Sequence, residues 1–518
     1  MRALPLVLLL QGLLLFGWAQ EAYVSGVVYH DRNRNGVRDS GEPGIRGVLV
    51  SNQREVVRTD AKGRYRLPIE DDTIVFVVKP RGWMTAIDRD NVPRFYYIHK
   101  PNGSPPIAYG GVAPTGPLPE SLDFPLYRQR ESNRFTVLVF GDTQPRDLKE
   151  VGYIAHDVLR ELIGTREAVL GLVLGDVVFD DLSLMQPLAR AIGRIGIPFY
   201  YVLGNHDMNF DSPDDRYSDE TWERVFGPNY YAFQYGHVHF LVLDDVVWEG
   251  VREGRRGRYR AGLGERQLTF LRNYLQHVSR RDWIVLCMHI PMWEWPEEER
   301  RAVFEMLAPF PYTLSFSAHT HYQTHRFFGE ADGWRGREAH HHWNAVTVCG
   351  SWWTGAPDPL GIPHTTMRDG TPNGYLWVTF DRHRYRVRYQ AARRPPDYQM
   401  HIYLPDAIPQ EQLANTTVLV NVFAGSERSL VEMRVNDEGD WIRLERVTDQ
   451  PDPAYAELKR LEQEYKLPGR PLPGIMPCPH LWRGQLPTWL PRGVHVLTVR
   501  TIDMFGQIYL DRRLFRVE

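Results

Sequence analysis

The sequence predicts an α/β core, built of mixed β-sheets layered with helices, between two all-β regions. Three observations lead there. Short β-rich runs separated by Gly, Asn and Asp turns fill residues 22–127 and return from about Pro395 to Glu518. Between them, strand-like runs alternate with stretches of helical periodicity, the pattern of α/β layering. Polar segments then close five apolar runs of that middle region, and in an open α/β sheet ligands gather at the carboxyl ends of strands.

At 518 residues the chain is too long for one core, and length alone gives about three domains. The expected division is a leader over 1–19, a β domain over 20–127, the α/β core over 128–393 and a β-sandwich-like domain over 394–518. A content of 43% hydrophobic and 24% charged residues is that of a folded globular protein. The formal net charge of −3 offers no field to gather nucleic acid or anionic lipid. The basic stretch Arg252–Arg260 lacks the aromatic pattern of a single-strand binder and is expected to be a solvated loop. Arg2, the apolar run Leu6–Phe16 and the small residues up to Ala19 form a secretory leader cut after Ala19. The run is too short to span a bilayer, as is every later one, so the mature chain is expected to be exported, to the periplasm, cell surface or medium, with no membrane span. Three cysteines make no disulfide framework, and Cys287 and Cys349 sit in apolar runs as small buried hydrophobes. Nothing in the sequence sets an oligomeric state.

Taken in order, Val24–Tyr29, Gly47–Ser51, Glu55–Thr59, Tyr65–Pro68 and Thr73–Val78 are the first strands, and Pro and Gly then accumulate over Pro101–Pro119 as a connector. Within this region Asp31, Asn33, Asn35, Val37, Asp39 and Glu42 occupy ligand positions of a twelve-residue calcium loop, with Gly36 at the sharp turn. No helix flanks it, so a structural Ca²⁺ is expected rather than a sensor, as in the similar calcium-binding β domains of bacterial surface proteins; an Asx-rich turn without an ion is the plainer alternative. Phe135–Phe140, Ala168–Leu174, Phe199–Leu203, Trp283–Cys287 and Tyr312–Phe316 are the core strands, and Tyr230–Tyr235 with Val238–Asp244 forms a hairpin that makes the sheet mixed. Helical stripes follow Gln144 up to Leu162 and recur over Leu184–Ile195, Glu265–Val278 and Glu297–Leu307. The last region holds strands at Thr417–Val422, Leu430–Val435, Trp441–Leu444 and Val494–Ile502, interrupted by a helix over Pro453–Tyr465.

The five polar segments are Gly141-Asp142-Thr143-Gln144, Gly175-Asp176, Gly204-Asn205-His206-Asp207, Met288-His289 and Ala318-His319-Thr320-His321. They bring Asp, Asn, Gln and His together in a mixture suited to a pair of hard-to-borderline divalent metals. In this order the blocks resemble the calcineurin-like metallophosphoesterase superfamily. The stretches Gly350–Gly355, Gly361–Gly370 and Asn373-Gly374-Tyr375 are similar to a bacterial exported subgroup with N- and C-terminal β domains. The resemblance implies that Asp142, Gln144, Asp176 and His321 hold one metal, and that Asp176, Asn205, His289 and His319 hold the other. Asp176 bridges. It further implies hydrolysis of a phosphate monoester or diester by a metal-activated water, with His206 as general acid and Asp207 orienting the imidazole; Asp180 is a further partner to consider. Gln144 stands where the family usually has His. An amide oxygen is harder and weaker than imidazole, which shifts preference among Mn, Fe, Zn and Mg away from zinc.

His364, Asp369 and Asn373, in the family-like loop, are expected to contact substrate. His340–His342 is expected to be a surface loop, His325 an exposed or hydrogen-bonded side chain, and Trp352 and Trp353 packing residues or a pocket floor. A cell-surface binding protein with a structural or degenerate metal site is the second functional reading; the complete ligand set and His206 weigh against it.

Overall fold

A computed structural model describes residues 22–251 and 257–518. The expected leader and the first part of the basic stretch, residues 252–256, lie outside the described residues. Two sheets face each other in the middle of the molecule. The first runs in the order Phe199–Val202, Leu170–Leu174, Arg134–Phe140, Gly374–Asp381, Arg384–Ala391, its first three strands parallel and the last two antiparallel. The second runs Tyr231–Tyr235, Val238–Val242, Trp283–Cys287, Thr313–Ser317, His340–Asn344, Thr324–Phe328, parallel at its centre and antiparallel at both edges. The sheets are mixed, as expected.

Pleating sorts the apolar residues. In Arg134–Phe140, Val137 and Val139 point to the gap between the sheets, while Leu138 and Phe140 point to the helices Leu148–Ile154 and Met185–Ile192 on the outside. The second sheet is covered in turn by Gly264–Leu275 and Glu297–Leu307. Between the sheets, rings interlock: Phe135 lies 4.6 Å from Tyr235 and Phe240 5.9 Å from Phe380. Strands covered on both faces read as unbroken apolar runs, and Leu170–Leu174, Val238–Val242 and Trp283–Cys287 are buried at every position.

His340–His342 corrects the expectation of a surface loop. It is part of the buried strand His340–Asn344. Alternate rings are satisfied by serines of the neighbouring strand: Ser315 Oγ lies 2.8 Å from His340 Nε2 and 2.7 Å from His342 Nδ1, and Ser317 Oγ 2.8 Å from His342 Nε2. His341 faces the other way, onto His325 at 2.9 Å. Burial pushes all three pKa values down, so these imidazoles are neutral. A pattern that scores His as polar cannot foresee a strand whose polar atoms are matched rung by rung.

The N-terminal region forms two four-stranded sheets, ordered Arg64–Pro68, Tyr23–His30, Phe124–Arg128, Trp83–Met84 and Val56–Arg58, Leu49–Ser51, Thr73–Val77, Tyr96–His99. Its core runs on into the α/β region, where Phe76 meets Phe270 at 5.8 Å. A buried polar knot fastens the same interface. Lys100 Nζ lies 2.7 Å from Glu220 and 2.9 Å from Glu223, both on the core helix Glu220–Phe226, and also contacts Asp72 at 2.5 Å. The C-terminal region packs the sheet Met400–Tyr403, Thr417–Val422, Leu481–Gln485, Glu445–Val447 against a second sheet of five strands that carries the hairpin Gly493–Ile502 and Ile508–Val517. The helix Pro453–Tyr465 starts with Pro at its first turn, and the Asp452 carboxylate accepts from Tyr455 N at 2.8 Å. Among the described residues no helix is long and apolar enough to cross a membrane, and all three cysteines are free and buried.

Lys100→Met leaves Glu220 and Glu223 buried without their cation. Breaking a buried pair in this way costs about 3–5 kcal/mol, so thermal or urea melting should register a clear loss of stability; an unchanged midpoint would rule out the knot as a fastening of the N-terminal region.

Candidate metal centre

The polar segments leave the carboxyl ends of both sheets toward one another. Asp142 and Gln144 follow Arg134–Phe140, Asp176 follows Leu170–Leu174 and Asn205 follows Phe199–Val202 in the first sheet; His289 follows Trp283–Cys287 and His319 and His321 follow Thr313–Ser317 in the second. Ligand atoms of Asp176, His289 and His319 lie within 4.8 Å of one another. Asn205 Oδ1 is 3.1 Å from His289 Nε2, and His321 Nε2 is 2.9 Å from Asp142 Oδ2. All seven predicted ligands are thus brought to one place. The turns that aim them are tight: Gln144, Asp176, His319 and His321 have φ of 39°, 46°, 69° and 53°. Left-handed backbone at non-glycine residues costs of order 1–3 kcal/mol each and concentrates where function demands it. Two glycines make room. A Cβ on Gly204 would meet Asp176 N at 2.0 Å, and one on Gly175 would meet His289 Nδ1 at 2.5 Å.

The donor set fits divalent cations. His289 Nδ1 donates to Leu174 O at 2.9 Å and His321 Nδ1 to Gly350 O at 2.6 Å. Each ring is thereby oriented and its Nε2 left for a cation, the arrangement that supports imidazole ligands. Asp142 Oδ2 is fully buried without a hydrogen bond of acceptable geometry. Gln144 turns its Nε2 onto Asp176 Oδ2 at 2.6 Å, so a cation at this corner requires the amide oxygen in its place, a half-turn of the side chain's end. Burial opposes protonation of His289, but Asp176 and Asp142 outweigh it and push its pKa up to about 10. Burial and the neighbouring His289 charge push His319 down to about 4. Because ligands must shed protons to take up metal, metal affinity here falls with falling pH.

Three family profiles match along the chain. That of calcineurin-like phosphoesterase covers residues 135–323, that of its N terminal residues 32–108, and that of its C terminal residues 342–509. The chain belongs to the calcineurin-like phosphoesterases. Among solved structures it is similar to purple acid phosphatase PPD1 from yellow lupin (Lupinus luteus) seeds, at 12% identity and a TM-score of 0.36, over 71% of this chain and 67% of that one. A cold-active protein-tyrosine phosphatase of a psychrophilic Shewanella species matches at 10% identity and a TM-score of 0.22, over 62% and 96%. No curated protein matches it.

In this calcineurin-like phosphoesterase His206 stands beside the ligands, its backbone N donating to Asp176 Oδ1 at 2.9 Å. Its orienting partner corrects the expectation. Asp207 is fully buried and its carboxylate accepts from the backbone N of Val177, Val178 and Gly204 at 3.0, 3.0 and 2.9 Å. It braces the loops that carry Asp176 and Asn205, and burial with the nearby Asp176 charge pushes its pKa up to about 7. The group on the His206 ring is Asp180, whose Oδ1 is 2.5 Å from Nδ1. Phe179 stacks on the same ring at 4.4 Å. Burial opposes the imidazolium, yet Asp176 and Asp180 together raise its pKa. Asp245, absent from the sequence reading, holds the His289 loop by accepting from His289 N, Ile290 N and Trp295 Nε1 at 3.2, 3.1 and 2.9 Å.

Two of the three expected substrate contacts, Asp369 and Asn373, are corrected. Asp369 is fully buried and bonds Gln323 N at 2.6 Å and His480 Nε2 at 3.0 Å, tying the C-terminal region to the segment just past His321. Asn373 donates to Asp157 and Val348 O at 3.1 and 3.0 Å, inside the core. His364 is exposed and bonds Thr366 at 2.8 Å. Asp369 and Asn373 in the family-like loop are packing residues, while His364 keeps an open surface. Trp352 is the loop residue at the site, its ring 3.8 Å from that of His321. The Asp31–Glu42 loop closes on itself: Asp31 accepts from Arg34 N and Gly36 N at 2.6 and 2.9 Å, Glu42 from Arg32 N and Asp39 N at 2.7 and 3.1 Å, and Asp39 from the Asn33 and Asn35 amides at 2.7 and 2.9 Å. Val37 is exposed beside Asn35, whose side chain accepts from its N at 2.8 Å.

Asp180→Asn removes one of the carboxylates that raise the His206 pKa, so that pKa should fall. An NMR titration of His206 should follow it, and any activity that needs the imidazolium should lose its alkaline limb at lower pH than in the parent; a titration curve that does not move would exclude Asp180 as the partner.

Proposed function

We propose that this protein hydrolyses phosphate mono- or diesters with two divalent metal ions, His206 giving the proton to the leaving alkoxide. The observation that carries the reading is His206 itself: half-exposed, 21% against 2% or less for Asp142, Asp176, His289 and His321, and held by a carboxylate on one ring nitrogen only. Asp142, Gln144, Asp176 and His321 would hold one ion, and Asp176, Asn205, His289 and His319 the other. When bound, the ions, whether Mn, Fe, Zn or Mg, supply an activated water and neutralise charge on the phosphoryl oxygens. The chain supplies the rest. Asp180 fixes the proton on Nδ1 and leaves the Nε2 proton for the leaving oxygen. The neighbouring carboxylates keep the ring charged before transfer, and the ring is neutral after it.

The reading extends to an exported protein cut after Ala19, supported by the leader sequence alone. It also includes a structural Ca²⁺ in the Asp31–Glu42 loop, supported by Gly36 at φ 75° and by the burial of Asp31 and Glu42 at 3% and 8% exposure.

Turnover should vanish with chelator and return with Mn²⁺. His206→Ala should slow an alkyl ester about 10²–10⁴-fold and a 4-nitrophenyl ester much less, since that leaving group needs little protonation. No metal-dependent turnover of either ester, or an unaffected alkyl ester, would sink the mechanism. For the loop, Asp31→Ala should abolish a calcium-dependent rise in melting temperature; calcium binding and stability both unchanged would exclude it.

A further inference from the structure

Beside the metal ligands lies a pair of arginines with too little negative charge to match. Arg146 follows Gln144 by two residues. Its guanidinium sits 4.1 Å over the ring of Phe179, the ring that stacks on His206, and Nη1 donates to Trp352 O at 2.9 Å. Arg470 reaches the same carbonyl from the C-terminal region, Nη2 lying 3.1 Å from both Trp352 O and Trp353 O. The two cations thus share an acceptor on the residue whose ring covers His321. One carboxylate serves both. Glu150 pairs with Arg470, and its other oxygen accepts from the backbone N of Arg146 at 2.7 Å rather than from the guanidinium. Among the described residues Arg146 has no salt bridge. Among the same described residues its Nε and Nη2, and the Nε and Nη1 of Arg470, bond no acceptor. Arg470 is 39% exposed and Arg146 half-buried.

Like charges held this close in a partly desolvated rim repel unless an anion joins them. Guanidinium forks present paired N–H donors that match carboxylate and phosphate oxygens. We propose that Arg146 and Arg470 form an anion subsite at the edge of the metal centre, which receives a second negatively charged group on the substrate. The substrate class is then a phosphate ester whose leaving group carries a further phosphate or carboxylate. This rests on the phosphoesterase reading, and it adds a recognition element contributed by two regions of the chain.

Matched esters test it: propyl phosphate, propane-1,3-diol bisphosphate and the phosphate ester of 3-hydroxypropanoate. The parent protein should favour one or both esters bearing a second anionic group over propyl phosphate by about tenfold or more in kcat/KM, and which of the two it favours identifies the second group. In Arg146→Gln that preference should collapse, with Arg146→Lys retaining part of it. Arg146 is the cleaner position, since Arg470→Gln also strips Glu150 of its partner. A second readout needs no turnover: calorimetric binding of pyrophosphate to chelator-treated protein should weaken about tenfold in Arg146→Gln. Activity without preference, or a preference that survives in Arg146→Gln, overturns the subsite. So does pyrophosphate binding indifferent to the substitution. A parent inactive on all three esters that still binds pyrophosphate through Arg146 would instead remove the phosphoesterase reading and leave the anion site standing.

Discussion

Taking a carboxylate wholly out of water costs several kcal/mol unless partners surround it, and the architecture of this site is organised around one that is. Asp176 is 1% exposed. Its Oδ1 meets the backbone N of His206 at 2.9 Å and His289 Nε2 at 3.2 Å, and its Oδ2 meets Gln144 at 2.6 Å. Burial alone would raise its pKa; the His289 and His206 charges reverse that and hold it below the usual carboxylate range. Gln144 and His206 come from the first sheet and His289 from the second, so the two sheets cannot separate without stranding this charge. The left-handed turns around it are sustained for the same reason: strand register fixes both flanks of each turn, and the side chains at the tips are bound to one another.

Much of the fold was legible in the sequence because its strands are of two easily separated kinds. Buried parallel strands such as Trp283–Cys287 are unbroken apolar runs, and the helix Pro453–Tyr465 carries its own start signal in Asp452-Pro453. The strand His340–Asn344 was not legible, since its polarity is cancelled only by serines from another strand. At the site, the residues that converge were marked by type and order, each at the end of a strand. Roles were harder. Asp207 is adjacent to His206 in the sequence and Asp180 is 26 positions away, and only the path of the loops decides which carboxylate faces the ring and which is consumed by backbone N–H groups. Asp369 was misassigned for a similar reason, its partner His480 being 111 positions away. Arg146 lies just past the first motif, but what distinguishes it is that no carboxylate among the described residues pairs with its guanidinium, a property of three-dimensional charge balance.

The bond between Asp369 and His480 bears on modularity. Protein chains with terminal β domains invite dissection into a catalytic unit and detachable accessories. Here, Gln323, two residues past His321, is held from both ends: its N donates to Asp369, and its Nε2 to Phe423 O at 2.7 Å. A chain cut after the α/β region would keep Asp369 but lose the imidazole that neutralises it, exposing a bare anion against the loop that aims His321. The C-terminal sandwich is therefore better regarded as the outer wall of the reaction centre than as cargo attached to it, and exchange of that sandwich between relatives is limited to partners that bring their own histidine.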